Sequence, residues 1–149
     1  MGGERQIRSE AGLNSRLDDL QAGVLDVRLR HLNADNQRRR RLAVLYSAGL
    51  VDTALSLPSD SPGHVYHQYA VLHGERDSLS KSLSDSGVGS GVLYPRPLQT
   101  QPAFASFRCI PEGLPVSSRV SEGVLCLPIY PELSEDEVQR VIPVLRKNL

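Results

Sequence analysis

The chain has 149 residues, of which 40% are hydrophobic, and its formal net charge is +0; this suffices for one domain with its own core or for part of a larger protein. The neutral charge gives no global electrostatic argument for nucleic acid or an anionic membrane as a partner, and no apolar run approaches the roughly 20 residues that span a bilayer. The two cysteines, Cys109 and Cys126, are too few for a disulfide framework and lack metal-ligand spacing, so we expect a cytoplasmic protein without a metal site.

A loop that leads into an amphipathic helix is predicted between Gly12 and Leu32. Residues 1–11 carry mixed charges and little apolar material, so we expect a poorly ordered lead-in. Asn14 or Ser15 is placed to cap the helix, and acids near its start and bases near its end suit the helix dipole. Apolar residues recur along the helix at steps of three and four, at Leu17, Leu20, Val24 and Val27.

A second helix is predicted from Arg38 to Tyr46, ending near Gly49. Residues 33–36, Asn-Ala-Asp-Asn, allow a bend or a new helix cap between the two helices. The four consecutive arginines at 38–41 would suit a nucleic-acid patch, but consecutive helical positions point in different directions around the axis. We therefore interpret these arginines as a solvated or salt-bridged helical face.

Shorter elements are predicted for the rest of the chain, separated by turns rich in proline and glycine. They are strand Val65–Leu72, helix Arg76–Ser86, strand Val88–Tyr94, helix Leu114–Val124, strand Leu125–Leu127 and helix Ser134–Asn148. Ser134 and Glu137 form a capping-box pattern, whereas Pro143 should kink the last helix or end it early. The order predicts an α/β fold, more narrowly an α+β small domain, in which long N-terminal helices precede a small helix-covered sheet. We divide it into a helical arm at 12–50 and a C-terminal small domain at 51–149.

The densest group of acid or base side chains lies in the first predicted strand. Alternation along a strand would place His64, Tyr66 and Gln68 on one face and Val65, His67 and Tyr69 on the other. No Cys, Asp or Glu stands at a spacing that would complete a metal site with these histidines.

Two further patterns carry no chemistry by themselves. Gly87, Gly89 and Gly91 precede a predicted strand without a following Gly-Lys-Ser/Thr, so they favour a turn over a phosphate-binding loop. The two lysines, Lys81 and Lys147, fall on predicted exposed helical faces, whereas a Schiff-base lysine requires desolvation. The residues alone therefore predict no complete catalytic set.

Five ordered blocks nevertheless resemble a known family. Together they resemble the C-terminal part of the DegT/DnrJ/StrS-type sugar aminotransferases, which use pyridoxal phosphate and have the aspartate aminotransferase fold. In that family the cofactor-binding domain, with its Schiff-base lysine, precedes the stretch that corresponds to this chain from Gly12 onward. The resemblance thus implies a C-terminal fragment that is incomplete for catalysis alone. The blocks are G-L-N-S-R-L-D-D-L-Q-A-G-V-L from Gly12, R-R-R-R-L-A-V-L-Y up to Tyr46, G-H-V-Y-H-Q-Y from Gly63, Y-P-R-P-L with Q-P-A-F from Tyr94, and L-P-I-Y-P-E-L-S-E-D-E-V from Leu127.

The resemblance implies that the loop before the first helix reaches the active site of a neighbouring subunit. Family members resemble one another in working as dimers, in which an asparagine of this loop helps to hold the partner's cofactor phosphate. The matching residue is Asn14, whose amide can donate to a phosphate oxygen; a plain helix cap is the alternative. Arg16 would serve the same site or the phosphates of a nucleotide-sugar, with a local salt bridge as the alternative.

Two blocks of the small domain carry further assignments and two departures. His67 and Tyr69 match a family H-Q-Y block, for which packing is favoured and substrate contact is the alternative. Tyr94 matches a block that usually reads H-Y-P and is assigned to substrate binding. Leu93 and Gln99 stand where the family commonly has histidine, so any contribution of those histidines is lost here.

The resemblance implies a pyridoxal-phosphate-dependent transaminase that moves an amino group, from glutamate, onto a nucleotide-linked keto-sugar. Its partners would be a second copy of the chain or a lysine-bearing N-terminal half, with no nucleic acid or membrane. The alternative from another class is a non-enzymatic dimerisation or binding module derived from such an enzyme.

Overall fold

The computed structural model describes residues 18–104, 106 and 114–149, which form five helices and a two-stranded sheet. The prediction of an α/β fold with long N-terminal helices before a small sheet is confirmed. Single-turn 3-10 helices span Leu98–Thr100 and Pro102–Phe104. The main elements are α1 (Asp19–Leu29), α2 (Leu32–Leu50), β1 (Tyr69–Leu72), α3 (Arg76–Asp85), α4 (Pro115–Gly123), β2 (Val124–Leu127) and α5 (Glu135–Lys147).

Helix α1 begins later than predicted. Its N-cap is Asp18, whose carboxylate accepts a 2.8 Å hydrogen bond from the Gln21 backbone N–H. The prediction that Asn14 or Ser15 caps this helix is therefore wrong, because Asp18, directly before the first turn, accepts from one of its free N–H groups. Asn14 and Ser15 themselves lie outside the described residues. No residue of α1 is buried, and Leu20 is 81% exposed.

Helix α2 is longer than predicted and supplies one wall of the core. It begins at Leu32, so the bend predicted at residues 33–36 is wrong; the break between helices lies at residues 30–31, one turn earlier. The buried face of α2 packs on α5. The salt-bridge interpretation is confirmed for Arg38, whose Nη1 lies 3.3 Å from the Glu135 carboxylate.

The sheet pairs β1 antiparallel with β2, with Ala70 opposite Cys126. Only the last four residues of the predicted strand 65–72 are in β1. Tyr66 has a left-handed backbone with φ 48°, and residues 67–68 form a bend, so the chain is not extended there. The strand predicted at 88–94 is also wrong. There only Gly91 pairs, as an isolated bridge to Cys126, and prolines follow at once.

The core lies between the sheet and helices α2, α3 and α5. Ser134 forms the predicted capping box with Glu137 at the start of α5, and the helix continues past Pro143 to Lys147. The helix predicted at 76–86 and the elements predicted at 114–127 are confirmed within one residue or two. The largest fully buried side chains are Tyr46, Tyr69, Leu42, Leu50, Leu79, Leu83, Leu125, Leu145, Val71 and Val138.

Candidate functional site

An open cavity of about 500 Å³ lies on the sheet face opposite the core. This face results from the alternation of side chains along the strands. Tyr69 and Val71 of β1 enter the core, whereas Ala70 and its partner on β2, Cys126, lie on the opposite face. Helix α4 contacts β1 beside the cavity. Binding clefts for small molecules are typically about 300–1,000 Å³, so the volume suits one ligand moiety. The lining residues are Gln68, Ala70, Leu93, Tyr94, Pro97, Leu98, Ser117, Val120, Ser121, Val124 and Cys126.

The lining is mostly apolar and carries no charged side chain among these residues. Its polar groups are partly engaged, since the Ser121 hydroxyl donates a 2.8 Å hydrogen bond to the Ser118 carbonyl. Burial raises the pKa of the Cys126 thiol, which keeps this side chain neutral. The cavity therefore offers contact to uncharged groups and no counter-ion for an anion.

Tyr94 stands at this cavity with an unusual backbone. Its φ is 49° and its side chain is 82% exposed, although a left-handed conformation costs a bulky L-residue roughly 1–3 kcal/mol. The following Pro95 further restricts Tyr94. Such strain is concentrated at functional sites, where the surrounding structure holds it. The assignment of Tyr94 to substrate binding stays a prediction.

A buried arginine supports the wall of the cavity. Arg76 is 8% exposed, and its Nη1 donates to the carbonyls of Ser121 at 3.2 Å and Val124 at 3.3 Å. Its Nε lies against the Asp77 carboxylate as an ion pair, without the alignment of a hydrogen bond. The guanidinium thus fixes the end of α4 and the start of β2. Sequence analysis missed this role; the only signal was a cation in the first turn of a helix, where the dipole disfavours it.

The turn between Pro97 and Thr100 is tied to α4. The Gln99 side-chain amide lies 3.4 Å from the Ser118 hydroxyl. Gln99, which departs from the family pattern, therefore contacts α4, while Leu93, the other departure, adds apolar surface to the cavity.

The histidine and tyrosine cluster builds a turn instead of a reactive strand face. His64 Nδ1 accepts a 3.0 Å hydrogen bond from the Tyr66 backbone N–H, and the Tyr66 hydroxyl donates to Asp60 at 3.0 Å. The predicted grouping of His64, Tyr66 and Gln68 on one strand face is wrong, because residues 64–68 are not in a strand. Burial, with the Asp60 hydrogen bond, raises the pKa of Tyr66. His67 is exposed and does not line the cavity.

The remaining predicted groups do not form a cofactor site within the described residues. Asn14 and Arg16 lie outside those residues. Lys81 and Lys147, on α3 and α5, are both exposed, so neither is the desolvated amine that a Schiff base with pyridoxal phosphate requires. Within residues 18–104, 106 and 114–149, no His, Cys, Asp and Glu side chains group as a metal site, and every helix is too short or too polar to span a bilayer.

Comparison with known proteins decides the family. Residues 1–146 match the DegT/DnrJ/EryC1/StrS aminotransferase family. The chain belongs to that family. Several relatives that it matches are aminotransferases of nucleotide-linked sugars, as the sequence blocks predicted.

Two relatives and one solved structure show how similar the chain is to known proteins of this family. The chain is 39% identical over 140 residues to a UDP-N-acetyl-3-dehydro-alpha-D-glucosamine 3-aminotransferase of Acidithiobacillus ferrooxidans, covering 93% of this chain and 37% of the relative. It is 39% identical over 151 residues to a dTDP-3-amino-3,4,6-trideoxy-alpha-D-glucose transaminase of Streptomyces venezuelae, covering 97% and 40%. The structure of S. venezuelae DesV in complex with a ketimine intermediate superposes with a TM-score of 0.82 at 37% identity, covering 91% and 38%. The chain thus spans about 37–40% of the length of these relatives.

Proposed function

We propose that this chain is the C-terminal part of a pyridoxal-phosphate-dependent aminotransferase that transfers an amino group from glutamate to the keto group of a nucleotide-linked sugar. The observation that carries the proposal is the likeness to DesV, with a TM-score of 0.82 at 37% identity over 91% of this chain. The cofactor, when bound by the complete enzyme, activates the amino group for transfer. The lysine for that cofactor comes from another part of the enzyme.

The proposal assigns separate tasks to the two parts of the chain. Residues 12–50 are the helical arm, in which Asn14 donates to the phosphate of the partner subunit's cofactor and Arg16 contacts the cofactor site or substrate phosphates. Residues 51–149 are the small domain, in which Tyr94 and the cavity beside it form a wall of the substrate site. His67 serves packing or a minor substrate contact. The site of action is the cytoplasm, where nucleotide-sugars are made.

The exposed apolar side chains of α1 support the same assignment. Its large apolar side chains are all more than half exposed in the isolated chain, and large unpartnered apolar surfaces mark interfaces. In the proposal, the lysine-bearing domain and a second subunit cover these side chains, and α1 positions the loop that carries Asn14. The residues concerned are Leu20, Val24 and Val27 on one side of the helix and Leu25 and Leu29 on the other.

A chimera tests the proposal directly. The N-terminal part of the S. venezuelae transaminase is joined to this chain at Gly12, and amino transfer from glutamate to a dTDP-linked keto-deoxyhexose is measured. We expect turnover, with weaker retention of pyridoxal phosphate in the Asn14→Ala variant than in the control Asn33→Ala, whose residue is exposed on α2. A folded chimera that retains the cofactor but turns over no nucleotide-linked keto-sugar would contradict the proposal.

The isolated chain supplies the complementary test. Because both lysines are exposed, we expect that borohydride traps no specific adduct between the chain and pyridoxal phosphate. We also expect that the chain does not convert glutamate. Transaminase turnover by this chain alone would refute the statement that it is incomplete.

A second function is supported by the exposed apolar side chains of α1: a non-enzymatic module that pairs with a second copy. In that case, the isolated chain would form a stable dimer that Leu20→Asp disrupts, while the chimera would lack turnover. Sedimentation equilibrium of wild type and Leu20→Asp, read together with the chimera assay, distinguishes the two functions.

A further inference from the structure

We infer that the cavity beside Tyr94 is a specificity subsite that accepts a deoxygenated, uncharged face of the sugar and disfavours hydroxylated or carboxylated sugars. This rests on the proposed function, because the cavity is a substrate wall only if the chain acts on nucleotide-sugars. The inference separates the two kinds of sugar named for the relatives: an N-acetylglucosamine derivative, which keeps its C4 and C6 hydroxyl groups, and a 3,4,6-trideoxy sugar, which lacks them.

The chemistry of the wall provides the first argument. Leu93, Val120 and Val124 meet any group that enters the cavity, and none of the described residues that line it is a cation. A sugar hydroxyl placed against such a wall loses its hydrogen bonds to water without replacement, whereas a methyl or methylene group gains contact. A carboxylate would lose still more, because none of the described lining residues carries a positive charge to compensate for its desolvation.

The polar groups of the lining do not change this balance. The Ser121 hydroxyl already donates to the Ser118 carbonyl, and the Cys126 thiol is a weak hydrogen-bonding group. The other polar lining residues, Gln68, Ser117 and Tyr94, are exposed to water. Of the described lining residues only Ser121 and Cys126 are buried, so the buried part of the wall lacks the set of convergent donors that a polar sugar face requires.

The rigidity of the site provides the second argument. Arg76 holds the carbonyls of Ser121 and Val124, both lining residues, and so fixes two sides of the cavity. Tyr94 presents an exposed aromatic ring from a strained backbone at the same cavity. An aromatic ring offers a large apolar surface with little conformational entropy to lose, which suits the apolar face of a sugar ring. A wall held in place discriminates better than one that adapts.

Helix α4 offers a matched pair of variants. Residues 117, 120 and 121 share one helix face and line the cavity, whereas Val116 is 63% exposed and does not line it. Val120→Thr therefore places a hydroxyl in the cavity wall, and Val116→Thr is the control with the same change on the same helix.

The experiment measures binding to the full chain by the chemical shifts of the Ala70 and Val124 amides. The probes are dTDP-linked 6-deoxyhexose, hexose and hexuronate. We expect wild type to bind the 6-deoxyhexose about 10-fold more tightly than the hexose and about 100-fold more tightly than the hexuronate. Val120→Thr should reduce both ratios several-fold, while Val116→Thr should leave them unchanged.

Three binding results would overturn the inference: equal affinity for the three sugars, tighter binding of the hexuronate, or no shift of the cavity amides with any probe. Failure of the proposed function gives a different result, namely a folded, cofactor-bound chimera without turnover. Turnover of all three keto-sugar classes with equal kcat/KM would leave the proposed function standing and refute the subsite.

Discussion

The packing of α2 on α5 leads to a sharp prediction at Gly49. A Cβ atom at this position would lie 2.6 Å from Ile142 Cδ1, 3.0 Å from its Cγ2 and 3.1 Å from its Cγ1. Ile142 is buried and β-branched, so its side chain has few alternative rotamers in a helix. Overpacking costs about 1–3 kcal/mol, and alanine recovers at most about 1 kcal/mol of helix propensity. We expect Gly49→Ala to lower the free energy of unfolding by about 1 kcal/mol.

Urea unfolding followed by circular dichroism measures this change, with Gly23→Ala as the control. Gly23 also lies inside a helix, but nothing comes within 4 Å of a Cβ there; this variant should leave the free energy of unfolding unchanged or raise it. Ile142→Val removes the nearest atom and should reduce the cost of Gly49→Ala by about 1 kcal/mol in a double-mutant cycle. Equal effects of the two glycine variants, or zero coupling to Ile142, would refute this packing argument.

Three further predictions concern single side chains. Ser134→Ala removes a helix cap and should lower the free energy of unfolding by about 1 kcal/mol near neutral pH. Hydrogen bonds from Ser134 hold the pKa of Glu137 below its usual value, so their stabilisation is present at pH values above the usual pKa and is lost as the pH falls through the lowered pKa. Urea unfolding at a series of pH values measures this loss. Tyr46→Phe removes a hydrogen bond to the Pro128 carbonyl and should cost about 1 kcal/mol; since burial raises the pKa of Tyr46, wild type should lose stability as pH rises above about 10, and the variant should lose less. Arg76→Met leaves two carbonyls without their donor and should cost about 2 kcal/mol, with Arg76→Lys recovering only part, as thermal unfolding would show.

Local signals predicted the helices well and the strands poorly. The helix closed by Gly87 and the capping box at Ser134 follow from short-range chemistry, which one sequence contains in full. The segment 64–68 has β-branched and aromatic residues but forms a turn, because His64 and Tyr66 satisfy each other locally. The segment 88–94 pairs at Gly91 alone, since pairing depends on distant Cys126.

The site was predictable in part. Tyr94 was singled out through the resemblance, but its place beside an apolar cavity depends on the contact of α4 with β1, which no local pattern contains. Arg76 was missed for the same reason, because its two acceptors lie more than 40 residues away along the chain, with separations of 45 and 48. Long-range contacts of this kind are fixed by tertiary packing and are invisible to periodicity.

Steady-state amino transfer by the chimera tests the central claim most directly. With glutamate and a dTDP-linked keto-deoxyhexose, the account predicts turnover that depends on this chain and falls in the Asn14→Ala variant but not in Asn33→Ala. A chimera that is folded and carries pyridoxal phosphate, yet transfers no amino group to any nucleotide-linked keto-sugar, would contradict it.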